Sequence, residues 1–495
     1  MKLSAQTGTF LCLALSMAAC GGTTGNSPDA GPDSGAAIDA SSLDGPPDAP
    51  DAAPAAIDSG GDAGAPQPWD ATPTIVGVGH AMSAGVAGPV FPFAVLAAGD
   101  RVFVVGEARA ELRWGDATIA GGGYLLAIEA STGALLFQRS FGPGSTVNGI
   151  ARIGADFVIV GSFISPTSLT PTVAAPIELT TTGAADGFVA RMTANGEFVW
   201  GTSFGSGDYD GAFDVRVSAR GILVSGYLRG DWSGCGGTLR TFPGFVDPME
   251  GRILGSQDAL LLQYDAAGTC VDASVVGNAG TDEFAIGVAA TDDAIYLSGE
   301  GGGPLTRRSV AGDEAVIGGS GGGWLVRLAD DGSRDVWSVT GRGSRGRGLG
   351  IDGDDLYFSF TASGAELRHG DTLVRAVEDG VSVMHLSLLD GSAATWWLGA
   401  ATSDTIDLAI SSAGVVIPAT GSDYRPHTRV ALLAGGLLTS FRNDAVTPYP
   451  FVVSAEGRSV WMAGCSSDTS VTLGAGEVAI PLGPQGGMFL VRFDL

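Results

Sequence analysis

FVARMTANGEFVWGTSFGSGDYDGAFDVRVSARGILVSG, residues Phe188 to Gly226, is the stretch on which the fold turns. Phe188-Val-Ala-Arg-Met192 alternates apolar and other residues, as a half-buried strand does. Asn195-Gly196 is a tight hairpin signal, because both residue types accept positive φ. Phe198 to Phe204 reads as the returning strand. After the polar loop Gly205 to Gly211, Phe213 to Val217 and Ile222 to Gly226 form a second hairpin around Ser218-Ala-Arg-Gly221. The stretch predicts four short strands within about forty residues.

Weaker copies recur along the chain. Leu125 to Phe141 is followed by Gly149 to Gly161, Ala259 to Gly277 by Phe284 to Gly299, and Trp324 to Gly341 by Leu349 to Phe360. Val383 to Gly399 leads to Ile406 to Ala419, and Val430 to Phe441 to Phe451 to Gly464. The last residues, Met488 to Phe493, are a first strand with nothing after it. Its missing partners stand at the other end, where Thr74 to Gly79 reads as a second strand and Phe93 to Ala97 with Val102 to Gly106 as a second hairpin. Six whole units and one shared between the ends predict an all-β fold, a β-propeller of seven four-stranded blades. Pairing the ends would remove two open sheet edges. A stack of β-sandwich domains, or a ring of six or eight blades, is the alternative. The units are longer than common propeller repeats, with the excess in connectors such as Tyr227 to Asp258 and Thr361 to Gly380.

The pattern centred on NGEFVWGTSFGSG and GILVSGY resembles the β-propeller repeat of secreted and lipoprotein chains of bacteria. The resemblance implies a fold and carries no catalytic residues. Leu126 to Phe137 also looks like the repeat of pyrroloquinoline-quinone propellers. Only one copy has the Thr-Gly, and Phe137 stands where that repeat places Trp, so the reading is set aside.

Residues 1–19 read as an export signal, with Lys2, the apolar run Phe10 to Ala19, and the small residues Ala18-Ala19 before Cys20. That run is too short to span a bilayer, which needs about 20 apolar residues. Met17-Ala-Ala-Cys20 resembles the lipobox of bacterial lipoproteins, although Met replaces the usual Leu. The resemblance implies that Cys20 is lipidated and, with Gly21 after it, that the chain is sent to the outer membrane or cell surface. An ordinary secretory peptide with a chance cysteine is the alternative. Residues 20–70 are Ala, Asp, Pro, Gly and Ser with almost nothing to bury, so a disordered tether is expected. Residues 71–495 form the folded domain.

Lys2 is the only lysine, and the mature chain sets arginine alone against 53 Asp and Glu. Such an excess repels nucleic acid and anionic headgroups, which excludes a nucleic-acid role. Beyond Cys20, the cysteines are Cys235, Cys270 and Cys465, an odd number; Cys235 and Cys270 are the pair nearest in sequence and fall in adjacent units. No Cys/His spacing suits structural zinc.

Chemistry is sparse. The four histidines are scattered, and Gly318-Gly-Ser-Gly-Gly322 matches the esterase GxSxG string without the strand-turn-helix elbow it needs. Asp208, Asp210 and Asp214 could offer oxygen ligands to calcium, but turn chemistry explains Asp and Gly there as well and is preferred. Trp on strand positions fits packing between blades, with an exposed carbohydrate platform as the minority reading. The expected function is a surface-anchored propeller that binds a protein or glycan partner or acts structurally. An exported hydrolase, lyase or quinoprotein with a site at the central channel is the alternative. A channel lined by converging Asp, Glu, His and Arg would favour the enzyme.

Overall fold

In the computed structural model the described residues are 67–68, 74–82 and 90–495, with breaks at 170–175, 247–252, 255–256, 320, 342–343, 363, 378, 400–406, 422–426, 435–436, 444–448, 467–469, 474–477 and 483. Residues 1–19, read as an export signal, Cys20 and nearly all of the stretch read as a tether lie outside them. Among the described residues there is no helix, and seven sheets have four or more strands, so the fold is all-β. The first sheet comprises Val90–Ala98, Arg101–Ala108, Gly122–Glu129 and Leu135–Ser140. Then follow Ser145–Ile153, Asp156–Phe163, Asp186–Met192 and Phe198–Phe204 as the second. Gly211–Ser218, Gly221–Leu228, Asp258–Tyr264 and Cys270–Gly277 form the third. The fourth has Phe284–Ala290, Ala294–Gly301, Gly322–Ala329 and Arg334–Thr340, and the fifth Arg345–Asp352, Asp355–Ala362, Gly380–Ser387 and Ala393–Gly399. Ala409–Ser411, Gly414–Gly421, His427–Ala434 and Leu437–Asn443 make the sixth. The seventh takes Tyr449–Glu456, Ser459–Ser466 and Gly487–Asp494, and completes itself with Thr74–Met82 from the other end of the chain. Within each sheet these four strands pair antiparallel in that order.

Phe188 to Gly226 therefore straddles two sheets: Phe198–Phe204 closes the second and Gly211–Ser218 opens the third. The sequence repeat is one hairpin out of phase with the sheets. Hairpin signals are local, and they do not say which neighbouring hairpin completes a sheet. The shared unit is corrected in the same way. Thr74 pairs with Arg492 and Gly79 with Met488, but the hairpin 93–106 belongs to the first sheet. Gln67–Pro68, within the stretch read as tether, pairs parallel with Thr439–Ser440.

Seven apolar clusters hold the sheets together, each lying between consecutive sheets. Phe103 and Val105 face the second sheet while Val102 and Val104 face the seventh, where they meet Trp461 and Leu490. Both faces of the strand are buried, which is why VFVV reads as a continuous apolar run. Fully burying each such Val, Leu or Phe side chain contributes about 1.5–3 kcal/mol. Trp324 and Trp461 are buried at such boundaries.

First strands of consecutive sheets lie side by side, and that of the first sheet also touches that of the seventh. Polar side chains tie them: Asn148 Nδ2 donates to Ala212 O (2.7 Å), Val288 N–H to Asp214 (3.3 Å), Val453 N–H to Asp407 (3.1 Å) and Ala97 N–H to Ser454 Oγ (3.0 Å). The first hairpins of the first four sheets carry a β-bulge, and a glycine of the second strand (Gly106, Gly161, Gly226 or Gly299) sits against it. A Cβ at Gly161 would lie 2.0 Å from Thr146 O, and one at Gly226 2.0 Å from Gly211 O. That contact explains the repeated VG and SG of the sequence.

Connectors between second and third strands of the first, fourth and fifth sheets fold as small hairpins that reach back to the preceding sheet. Glu111–Trp114 pairs with Thr74–Met82, Leu305–Ser309 with Cys270–Gly277, and Ala365–His369 with Arg334–Thr340. They bring otherwise distant residues to the sheet boundaries.

Candidate functional site

Two places gather chemistry-bearing side chains. The first lies where the first strands meet. Asp214, on the third sheet, accepts from its own Val215 N–H (2.8 Å), from Val288 N–H of the fourth sheet, and from Arg216 (3.0 Å). Asp407 holds the corresponding place beside the sixth sheet, accepting from Leu408 N–H (2.8 Å) and Val453 N–H of the seventh. Burial pushes both carboxyls up, Asp407 to about 6; the Arg216 charge pulls both down, and Asp214 pushes Asp407 up further. Residues three sheets apart thus share one field. The charges of Asp214, Arg216 and Asp407 thus act on one another there, although each carboxylate already accepts two backbone N–H groups.

Similar use is made of carboxylates at the sheet boundaries. Asp210 is fully buried and accepts from Ser206 N–H (2.5 Å) and Arg229 N–H (2.7 Å); burial pushes it to about 6. Asp186 accepts from Thr182 N–H and Gly183 N–H. Glu283, pushed to about 7 by burial, accepts from Asn278 N–H, Gly302 N–H and Thr281 Oγ1–H. Asp258 accepts from Phe242 N–H (2.6 Å) and is pushed to about 8 by burial, with Glu283 and Asp282 adding to the rise.

These contacts separate the residues considered for calcium. Asp208 is half-exposed beside Arg229 (3.5 Å), while Asp210 and Asp214 are each occupied by backbone donors. Among the described residues no group of three His, Cys, Asp or Glu side chains is arranged to hold a metal ion. Cys235, in a hairpin turn, is disulfide-bonded to Cys270, with Cα atoms 4.9 Å apart. Cys465 is buried in the cluster between the seventh and first sheets.

The second place is a cleft of about 620 Å³ between the fourth and fifth sheets, on the side of the short hairpin turns. Trp337 and His369 form its wall, their rings stacked 4.3 Å apart and 7° from parallel. His369 Nε2 meets Asp335 Oδ1 at 2.5 Å, and that bond raises the imidazole pKa. Asp292, Asp293 and Asp354 line the mouth and are exposed. Trp337 is 6% exposed and its indole N–H has no partner. Sequence reasoning passed over this site: His369 and Trp337 are 32 positions apart, and only the back-reaching hairpin stacks them. His385 pairs instead with Asp355 (2.7 Å), and His80 with Leu482 O (2.8 Å). Ser320 of the GxSxG string and the side chain of His427 lie outside the described residues.

No protein-family model matches this sequence, and no curated protein does. Among solved structures, the chain is similar to a subtype N10 neuraminidase-like protein of A/little yellow-shouldered bat/Guatemala (8% identity, 86% of this chain and 99% of that one, TM-score 0.37). It is similar also to Sqt1 from Chaetomium thermophilum (11%, 86% and 100%, TM-score 0.36) and to a xylan beta-1,4-xylosidase from Bacillus Halodurans C-125 (9%, 83% and 96%, TM-score 0.22).

Proposed function

We propose that the chain is an exported propeller of seven four-stranded blades, tethered by lipid at Cys20 to the bacterial outer membrane or cell surface, and that it works as a binding module for a protein or glycan. Support for the ring comes from the apolar cluster between the seventh and first sheets and from the pairing of Thr74–Met82 with Gly487–Asp494. The observation that carries the binding reading is the engagement of the raised carboxylates. Asp210, Asp214, Asp258, Glu283 and Asp407 all accept backbone N–H groups, those of Asp214 and Asp407 across sheet boundaries, so they fasten the frame. The cleft beside Trp337, with exposed acidic groups at its mouth, is where a partner would be met.

What favours an enzyme instead is the mutual charge influence of Asp214, Arg216 and Asp407, with Asp407 pushed up to about 6 by burial. The two readings part in a turnover assay on chromogenic esters and glycosides. The binding module shows no turnover; turnover that Asp407→Asn removes would replace this reading with the enzyme. For the anchor, labelled palmitate should enter the wild-type chain in bacterial membranes and be lost in Cys20→Ala. Label retained in the variant would sink the assignment.

A further inference from the structure

Neighbouring sheets are clasped on the turn side by arginines. Arg101 of the first sheet donates to Ala194 O in a turn of the second (2.5 Å). Arg191 of the second reaches Ala266 O in a turn of the third (2.9 Å) while paired with Asp156 (2.8 Å). Arg220 of the third donates to Thr291 O (2.9 Å), Asp292 O (2.8 Å) and Asp330 Oδ2 (2.5 Å) of the fourth. Three successive boundaries thus hold a guanidinium of the chain itself in a slot of turn carbonyls, each with a carboxylate within 4 Å.

At the next boundary the slot is open. Arg220 and Asp293 both stand immediately before the residue that begins the second strand of their sheets, so the third sheet has a cation where the fourth has a carboxylate. Arg327, placed like Arg191 on the third strand, turns back to its own sheet, to Asp293 (3.2 Å) and Ser333 Oγ (3.1 Å). What results is the cleft of about 620 Å³, with Asp292, Asp293 and Asp354 at its mouth and the Trp337–His369 stack as its wall.

We infer that this cleft receives an arginine or lysine side chain from a basic segment of a protein partner, as the equivalent slots receive the chain's own arginines. The inference rests on the binding reading and names the partner's chemistry. Carboxylates matched to a guanidinium give charge-assisted hydrogen bonds. The chain's net charge of −27 draws such a segment in at long range.

The test uses the full chain and a fluorescein-labelled heptapeptide of alternating Gly and Arg, with a citrulline peptide of the same shape and no charge as control. The arginine peptide should bind, and the citrulline peptide more weakly by about tenfold or more. Asp293→Arg, which puts a guanidinium where the third sheet carries Arg220, should weaken binding by a similar factor, as should Asp292→Asn combined with Asp354→Asn. Asp100→Arg, the same charge change at an exposed turn of the first sheet, should leave it unchanged, with unfolding temperatures checked for all variants. Failure of the arginine peptide to bind overturns the inference, and so does equal weakening by Asp100→Arg, which would mean general attraction to an acidic surface. If a neutral glycan binds and the peptide does not, the cleft assignment falls while the binding reading stands. Turnover lost in Asp407→Asn would remove that reading itself.

Discussion

Asp258 is fully buried at the start of a third strand, and only one of its two oxygens has a partner, the Phe242 N–H. Its folded-state pKa, about 8, lies well above the ordinary carboxylate value, so the fold accepts the neutral acid and resists the charged one. Glu283, at about 7, behaves alike and adds its own repulsion. Stability from these groups is complete below their unfolded values, near pH 4, and is lost as the pH rises through about 7 and 8. The domain should therefore unfold more readily at pH 8.5 than at pH 5. Asp258→Asn keeps an acceptor for Phe242 and cannot ionise, so it should flatten this slope and stabilise the domain at pH 8.5 by on the order of a few kcal/mol. Denaturant titrations at the two pH values measure both effects. A wild type that is more stable at the higher pH would refute the account. None of this was legible in the sequence, where QDALLLQY shows an acid before an apolar run and says nothing of how deep it lies.

At the scale of elements, the small hairpins between second and third strands are the devices that make boundaries specific. The hairpin Trp232–Gly234 and Gly237–Leu239 packs Trp232 against Phe204 of the second sheet, and its turn residue Cys235 is bonded to Cys270 on the outer strand of the third. The bond closes a loop across a sequence separation of 35 residues, so its loss should cost about 2–4 kcal/mol. Replacing both cysteines by Ala should lower the unfolding temperature and, in limited proteolysis, bring the first cut into residues 229–257. An unchanged temperature would mean that packing of Trp232 and Leu239 fixes the hairpin without the bond. The sequence indicated the pair only as the two cysteines nearest one another, in adjacent units. It gave no sign that the connectors were hairpins, since SGCGGTLR and RHGDTLVR are too short and polar for a periodic signal.

For the whole molecule, the joining of the chain ends is the decisive contact. Gly487–Asp494 lies between Ser459–Ser466 and Thr74–Met82, bringing Phe489 and Leu490 into two different apolar clusters. A chain stopped at Gly486 would leave two unpaired strand edges and an open boundary beside the first sheet. It should unfold at lower temperature and less cooperatively, and should aggregate on size exclusion; a peptide of residues 484–495 supplied in trans should restore part of the loss. A truncated chain that unfolds as the full one does would show that the seventh sheet stands without its third strand.

The sequence by itself determined that the domain is all-β, where most strands run, and that Met488 to Phe493 seeks Thr74 to Gly79. Those features follow from local propensity, alternation and turn residues, which act within a few positions. Tertiary structure alone decided which hairpins share a sheet, because the loop Gly205 to Gly211 between two hairpins reads the same whether they belong to one sheet or to two. It alone drew Asp214, Arg216 and Asp407 into one field and stacked His369 on Trp337, since those meetings depend on sheets packing face to face and on hairpins folding back. The stretch 188–226 thus fixed the kind of unit, and the packing of its two halves into different sheets fixed how the units join.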